Sequence, residues 1–212
     1  MSDILFAHPK SIHLLNVYPY ILIMDSTCKT NRYLMPLFEV VGVAPTGKIF
    51  TVAFVFLKNE KEDSYTWELE HLKLLIDLDD FPKAIVTDRE LALVNALKNI
   101  FHNSYHILYR RHIGKDVEKY FTNLVKNKDI GTSFSQGRWH KVVEAQTQQE
   151  YEDRLGKMNE AYSHMSGLLK YVHETWLEPF KERFVHAWTN CALHMGQLTT
   201  NRYFIFLICN VY

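Results

Sequence analysis

Two aspartates stand directly after short apolar runs whose residue types are typical of buried β-strands. Asp25 follows Tyr20–Met24, and Asp88 follows Lys83–Thr87. Taken singly, each aspartate is better explained as an ordinary residue that ends a strand at a turn. Taken together, two carboxylates at the ends of buried strands indicate a two-metal site for phosphoryl transfer.

The residues around these aspartates predict the elements that position them. Tyr20–Asp25 is a nearly continuous apolar run, which indicates a strand covered on both faces. Residues 1–19 are expected to be a short lead-in, with Pro9 and Pro19 as breakers. The remaining predicted elements are a hairpin of Pro36–Ala44 and Lys48–Leu57, a helix from Ser64 to Leu78, a strand at Ala84–Thr87, a helix at Arg89–Phe101, a strand at Ser104–Tyr109 and a helix at His112–Lys126.

The order of these elements predicts the fold class. Residues 131–195 have a helical pattern throughout, after a first part in which strands and helices alternate. This order indicates an α/β fold with a ribonuclease-H-like mixed sheet and a C-terminal helical insertion. We therefore expect a core at residues 1–127, a helical insertion of the same domain at residues 128–202 and an atypical apolar tail at residues 203–212.

The composition limits the classes of partner. The 212 residues include 24 basic and 24 acidic side chains, which is not the profile of a free-standing DNA-binding domain. A DNA partner would therefore be held by a local basic patch. Three scattered cysteines argue against a disulfide scaffold and fit a reducing compartment. No signal peptide is evident and the apolar tail is shorter than the ~20 residues that span a bilayer, so no membrane partner is expected.

Several linked motifs resemble the Mutator-like element (MULE) transposase domain, and the resemblance runs from about residue 5 to Arg202. It implies a DDE transposase core that cleaves and transfers DNA strands in the nucleus, with DNA as its partner and a possible homo-oligomer in a full-length relative. Such cores use three carboxylates to hold two Mg²⁺ or Mn²⁺ ions. The motifs are Phe6–Ser11, Met24–Arg32, Lys61–Trp67, Val86–Ala96 and Tyr109–Lys115.

The resemblance also assigns the site residues. Asp25 corresponds to the first acid and Asp88 to the second, so both are expected to be metal ligands and catalytic residues. His112 corresponds to the histidine of the family's Cys–His pair, whereas Tyr109 occupies the cysteine position. The third acid is expected shortly after Leu198–Arg202, where the sequence has Phe204 instead. With one ligand missing, we expect an inactive or incomplete transposase.

Basic residues flank the expected site and are candidates for phosphate contacts. Each one alone is explained as ordinary surface charge, but their clustering around two acidic strand ends favours a rim that faces DNA. These candidates are Lys29, Arg32, Arg89, Arg110, Arg111 and Lys115.

Alternatives remain for the third acid and for the function. Glu144, Glu150, Glu152 and Glu160 could each be nominated as a substitute acid, although a solvated helix face explains them better. A first alternative function is a domesticated, non-catalytic DNA-associated regulator, because the plant far-red-impaired-response regulators resemble the same core. A second is an unrelated metal-dependent nuclease that uses Asp25 and Asp88.

Overall fold

The computed structural model describes residues 3–27 and 31–191, except for the side chain of Thr27. Within them the chain forms two compact units, which meet in sequence between Ile107 and Leu108. The first unit carries the sheet and the second is helical. None of the helices in the described ranges has both the length and the apolar character needed to cross a bilayer.

The described part of the first unit is built on a mixed sheet in which strand order departs from chain order. The order is β1-β4-β3-β2-β5-β6. The pairs β1–β4, β4–β3 and β3–β2 are antiparallel, whereas β2 and β5 are parallel. The strands are β1 (Ile4–Phe6), β2 (Ile21–Thr27), β3 (Leu37–Val43), β4 (Ile49–Phe56), β5 (Ala84–Thr87) and β6 (Tyr105–Leu108). The predicted α/β class with a mixed sheet is therefore confirmed.

The described residues of this unit form the helices α1 (Pro9–Val17), α2 (Glu62–Lys73) and α3 (Leu91–Ile100). The expectation that residues 1–19 form only a lead-in is wrong, because β1 and α1 lie there. Pro9 was expected to break structure, but it is in the first turn of α1, where its missing N–H has no helical partner to lose. The Nδ1 atom of His8 caps this turn by accepting from the N–H of Lys10.

One face of the sheet and the three helices enclose the core of this unit. Alternate residues of a strand point to opposite faces, so Leu22 and Met24 lie in this core while Ile21 and Ile23 are buried on the other face. Helix α2 packs on the core face, where the ring centroids of Phe38 and Tyr65 are 5.5 Å apart. This packing fixes β2 and β5, the strands that lead to Asp25 and Asp88.

The described part of the second unit is helical, and its last helix ends at Thr189, which confirms over these residues the helical pattern predicted for residues 131–195. Two of its helical stretches contain a π-helical turn, at Ser135–Trp139 and at His173–Leu177. Trp139 and Trp176 lie in these turns and are buried in the core of the unit. The helices are α4 (Arg110–Val125), α5 (Lys128–Phe134), α6 (His140–Val143), α7 (Gln148–Ala161), α8 (Ser166–Val172), α9 (Glu178–Phe184) and α10 (His186–Thr189).

Candidate metal and nucleic-acid site

Asp25 and Asp88 lie side by side at one edge of the sheet. The parallel register aligns Ile23 on β2 with Val86 on β5 and Met24 with Thr87. The residue that follows each member of the last pair is an aspartate, Asp25 after Met24 and Asp88 after Thr87. Neighbouring strands are about 4.8 Å apart, which brings the two aspartate backbones close together. Both side chains are half-buried. We call this side of the sheet, where β2 and β5 end, the carboxyl edge.

A hydrogen-bonded pair holds the end of β5 just before Asp88. The hydroxyl of Thr87, a fully buried residue, donates to the Asp88 carbonyl oxygen at 2.7 Å. The same hydroxyl oxygen lies 2.7 Å from Nε2 of His106 on β6. Since the hydroxyl has a single proton, which it donates to Asp88, Nε2 of His106 is the donor of the second bond. Thr87 and His106 therefore fix the peptide that carries Asp88.

A third carboxylate, which the sequence reasoning did not single out, lies opposite Asp25. The antiparallel register pairs Asp25 on β2 with Glu39 on β3. Glu39 is 1% exposed, and its Oε2 atom has no hydrogen-bond partner among residues 3–27 and 31–191. Its Oε1 accepts one long bond, 3.4 Å, from the Thr51 hydroxyl. Burial raises the pKa of Glu39, and the bond from Thr51 acts in the opposite direction.

The chemistry of these side chains fits a hard divalent cation. Glu39, Asp25 and Asp88 follow one another across β3, β2 and β5, and we call them the carboxylate row. Carboxylate oxygens suit Mg²⁺ and Mn²⁺, and Mg²⁺ commonly uses one or two carboxylates and keeps several waters. Within residues 3–27 and 31–191, no three His, Cys, Asp or Glu side chains already converge as a metal cage. The carboxylate row therefore suits a hydrated ion that is held by one or two of its carboxylates.

An exposed loop follows β2 at the carboxyl edge. The Asn31 side chain organises it, because its Oδ1 accepts from the N–H groups of Tyr33 and Met35 at 3.1 and 3.2 Å. Tyr33 and Leu34 are 63% and 67% exposed, and Leu34 has a φ of 54°, which is unusual for a branched side chain. Arg32 is also exposed, with its guanidinium 6.0 Å from the Tyr33 ring centroid. The loop therefore offers a cation and an aromatic face to solvent.

The basic residues expected around the site are divided between the two units. Arg32 and Arg89 belong to the first unit, and Arg89 is half-buried. Arg111 and Lys115 belong to the second, and both are exposed on α4. These two are four residues apart, so they lie on the same face of that helix. Lys29 lies outside the described residues.

Arg110, another residue expected to contact DNA, is 8% exposed and bonded within the second unit. Its guanidinium donates to the Phe184 carbonyl oxygen at 2.6 Å, to the Thr189 hydroxyl at 2.8 Å and to Glu144 at 3.0 Å. Burial lowers the pKa of Arg110, and the charge of Glu144 opposes that change. In the structure Arg110 ties α4 to the end of α9 and to α10.

His112 lies in the first turn of α4, in the second unit. Its ring is half-buried, and its centroid lies 5.3 Å from that of Tyr109, which is 1% exposed. The family's cysteine position is thus filled by a buried ring that packs beside the histidine.

The residues considered for the third acid do not form a second acidic cluster in the described ranges. Glu144 pairs with Arg110, and Glu150 pairs with Arg154. Glu152 and Glu160 are exposed on α7, as a solvated helix face predicts. Cys28, the segment Leu198–Arg202, Phe204 and the tail at residues 203–212 lie outside the described residues.

Comparison with known proteins identifies the family. The model of the MULE transposase domain matches residues 21–116, which include β2–β6, both aspartates and Glu39. This segment, slightly less than half of the chain, is similar to the MULE transposase domain. The expected family is therefore confirmed over this segment.

Curated proteins similar to this MULE domain chain include two from Arabidopsis thaliana. Protein FAR1-RELATED SEQUENCE 5 is 25% identical over 144 residues, 68% of this chain and 18% of that protein. Putative protein FAR1-RELATED SEQUENCE 10 is 22% identical over 122 residues, 58% of this chain and 18% of that protein. The PKS-NRPS hybrid synthetase cheA of Chaetomium globosum is 28% identical over 104 residues, which are 48% of this chain and 2% of the synthetase. The chain thus spans less than a fifth of each relative.

Proposed function

We propose that this MULE domain is a DDE-type nucleic-acid-binding unit that holds Mg²⁺ or Mn²⁺ at Asp25 and Asp88 and does not complete strand transfer. The observation that carries the proposal is the register of β2 and β5, which sets these two aspartates side by side. The ancestral reaction would be metal-dependent DNA cleavage and strand transfer in the nucleus.

The strand order supports the ribonuclease-H-like part of the proposal. An antiparallel set β4-β3-β2 is followed by the parallel strand β5 and then by β6, and the two acids follow the adjacent parallel strands. In such a site a bound divalent ion supplies a Lewis acid for in-line attack on phosphorus. The protein residues position that ion. Asp25 and Asp88 would ligate it, and Thr87 with His106 would hold the peptide of Asp88.

The proposed lack of strand transfer rests on the position of the family's third acid, which is expected shortly after Leu198–Arg202. Residues 198–212 include neither Asp nor Glu, and Phe204 stands near the expected position. The segment in which the family's third acid is expected therefore supplies no carboxylate. His112 stays a proposed contributor to the site through its correspondence to the family's histidine.

Contacts to nucleic acid would come from the loop at the carboxyl edge and from α4. Arg32 can contact a phosphate, and the exposed face of Tyr33 can stack on an unpaired base. Arg111 and Lys115 form an exposed pair of cations on α4, and Arg89 follows Asp88 directly. Arg110 is not a candidate for a nucleic-acid contact because it is buried.

DNA binding is tested by fluorescence anisotropy with a labelled single-stranded oligonucleotide in Mg²⁺. Tyr33→Ala removes a stacking platform and is expected to weaken binding about 5- to 150-fold, since stacking contributes about 1–3 kcal/mol per base. Tyr20→Ala is the matched control, because Tyr20 is also partly exposed but precedes β2 at the opposite edge of the sheet. Equal losses in both variants, or no loss in Tyr33→Ala, would reject the loop as a contact surface.

Catalytic status is tested by the nicking of supercoiled plasmid in Mn²⁺. We expect the wild-type chain to produce no more nicked circles than Asp88→Ala. Robust cleavage that Asp88→Ala abolishes would contradict the proposed lack of activity and would require another acid to serve as the third ligand.

A second candidate function is a domesticated, non-catalytic DNA-associated regulator of transcription. The similarity to two FAR1-related sequences favours it. The two candidates differ in what happens when the acids are changed. A regulator that no longer uses metal would bind DNA equally well in Mg²⁺ and in EDTA, and Asp25→Asn would leave that binding unchanged.

A further inference from the structure

We propose that Glu39 shares the divalent cation at Asp25, so that a hydrated ion there is held by one carboxylate from each of the adjacent strands β2 and β3. This inference rests on the proposed function, because it adds a residue to the cation site of Asp25 and Asp88. It differs from the sequence-based expectation, which placed the third acid far along the chain near Phe204.

The first support is the strand register. Asp25 and Glu39 are directly opposed in the antiparallel pair of β2 and β3. Opposed residues share a face of the sheet, with Cβ atoms about 4.5–5.5 Å apart. One ion can therefore be reached by a carboxylate from each strand. Like charges in this position repel each other, and a bound cation would offset that repulsion.

The second support is independent of the register and concerns the surroundings of Glu39. The residue is 1% exposed, and its Oε2 has no hydrogen-bond partner in the described part of the chain. A buried carboxylate oxygen without a hydrogen-bond partner is rare in native proteins. One explanation for such an oxygen is an ion or a water molecule that binds it in solution. The Thr51 hydroxyl donates to Oε1 of Glu39 at 3.4 Å, which is at the long limit for a hydrogen bond and does not involve Oε2.

The alternative is that Glu39 is a neutral side chain that merely fills space beside Thr51. The two roles differ in how the cation affinity responds to substitution. Gln has nearly the same size and can still accept from Thr51, but it has no charge for the ion. Loss of cation affinity in Glu39→Gln with an intact fold would therefore identify a ligand.

A matched control is present in the same unit. Glu68 on α2 is also fully buried, and neither of its carboxylate oxygens has a hydrogen-bond partner in the described ranges. Helix α2 packs on the sheet face that carries Phe38, as the Phe38–Tyr65 contact shows. Glu39 is the next residue along β3 and points to the opposite face. Glu68→Gln thus removes a buried carboxylate that is not in the carboxylate row.

The experiment is calorimetric titration of the full 212-residue chain with Mn²⁺ alone, without DNA. We expect the wild type to bind Mn²⁺, Asp25→Asn and Asp88→Asn to bind it much more weakly, and Glu39→Gln to lose at least about tenfold in affinity. Glu68→Gln is expected to stay within twofold of the wild type. Circular dichroism of each variant checks the fold.

A second measurement uses the wild type and does not depend on the folding of a variant. The carboxyl ¹³C resonances of Asp25, Glu39 and Glu68 are followed by NMR during a Mg²⁺ titration. The proposal predicts saturable shifts at Asp25 and Glu39 with the same midpoint and no such shift at Glu68.

The outcomes separate the two claims. Wild-type affinity in Glu39→Gln together with weak binding in Asp25→Asn would reject Glu39 as a ligand and leave the proposed function standing. An unmoved Glu39 resonance during a titration that shifts Asp25 would do the same. Absence of any Mn²⁺ binding by the wild type would reject both claims.

Discussion

Replacement of Glu68 by Met is expected to stabilise the protein, although it changes a residue in the middle of a helix. Glu68 lies on α2 and is 0% exposed, and neither carboxylate oxygen has a hydrogen-bond partner among the described residues. Burial raises the pKa of this carboxyl well above its usual value. Met has a similar volume and no polar atom that needs a partner, so it removes the desolvation penalty without leaving a cavity.

The size of the effect follows from the two unpartnered oxygens. A buried polar group without a hydrogen bond destabilises a protein by about 1–3 kcal/mol, which is the expected gain for Glu68→Met. For a protein of this size, each kcal/mol raises the melting temperature by about 2–4 °C. The variant should therefore melt about 2–12 °C higher than the wild type.

The gain should also grow with pH. In the unfolded chain Glu68 ionises near its ordinary pKa, whereas in the folded protein burial raises its pKa, so the carboxyl stays protonated to a higher pH than in the unfolded chain. The folded state then binds more protons, so wild-type stability falls as the pH rises from the ordinary glutamate pKa toward the raised one. The slope in that window is up to about 1.4 kcal/mol per pH unit. Glu68→Met lacks this term, and the difference between the two proteins increases from pH 5 to pH 7.

The assay is thermal unfolding by calorimetry at pH 5, 6 and 7, with Glu70→Met as the control. Glu70 is an exposed residue of the same helix, so its replacement should change the melting temperature little and equally at each pH. A Glu68→Met variant that is less stable than the wild type at pH 7, or a difference that does not grow with pH, would refute the reasoning. Either result would mean that Glu68 has a stabilising partner in solution.

Three further substitutions test the packing and the site. Arg110→Met should lower the free energy of unfolding by about 2–4 kcal/mol in urea titrations, because buried oxygen acceptors lose their donor, whereas Arg111→Met should stay within about 0.5 kcal/mol. Equal effects would contradict the internal role of Arg110. Gly42→Ala should cost about 1–3 kcal/mol, since its Cβ would lie 2.3 Å from a phenylalanine ring atom, while Gly156→Ala on α7 should gain about 0.5–1 kcal/mol. A stable Gly42→Ala variant would mean that this ring moves freely. Thr87→Val should weaken Mn²⁺ binding about tenfold through the peptide of Asp88, and an unchanged Mn²⁺ affinity would remove Thr87 from the site.

Local sequence patterns were sufficient to predict the strands that hold the two aspartates. β2 and β5 are short apolar runs that end near an acid, and the hairpin of β3 and β4 is marked by a Pro-Thr-Gly turn. These signals depend on neighbouring residues, so they can be read without knowledge of tertiary contacts. The predicted start of α2 at Ser64 is two residues late, because the helix begins at Glu62 and Ser64 is a buried residue within it.

The residues that were missed depend on contacts between distant parts of the chain. Glu39 becomes part of the site only through the register of β3 against β2, and the one available signal was a lone acid within an apolar strand. Arg110 resembles its exposed neighbour Arg111 in sequence, and its burial follows from contacts with Phe184 and Thr189 far along the chain. His106 was not considered, because its bond to Thr87 requires β6 to lie beside β5.

The central claim is that a divalent cation binds at the carboxyl edge of the sheet, and iron-mediated cleavage of the protein tests where such a cation sits. Fe²⁺ replaces Mg²⁺, and hydroxyl radicals generated with ascorbate and peroxide cut the backbone near the ion. Mass spectrometry of the fragments then locates the cuts. We predict cuts around Asp25 and Asp88 that excess Mg²⁺ suppresses and that Asp88→Asn abolishes. Cuts confined to another acidic segment, such as Asp79 and Asp80, or cuts that persist in Asp88→Asn, would contradict the account.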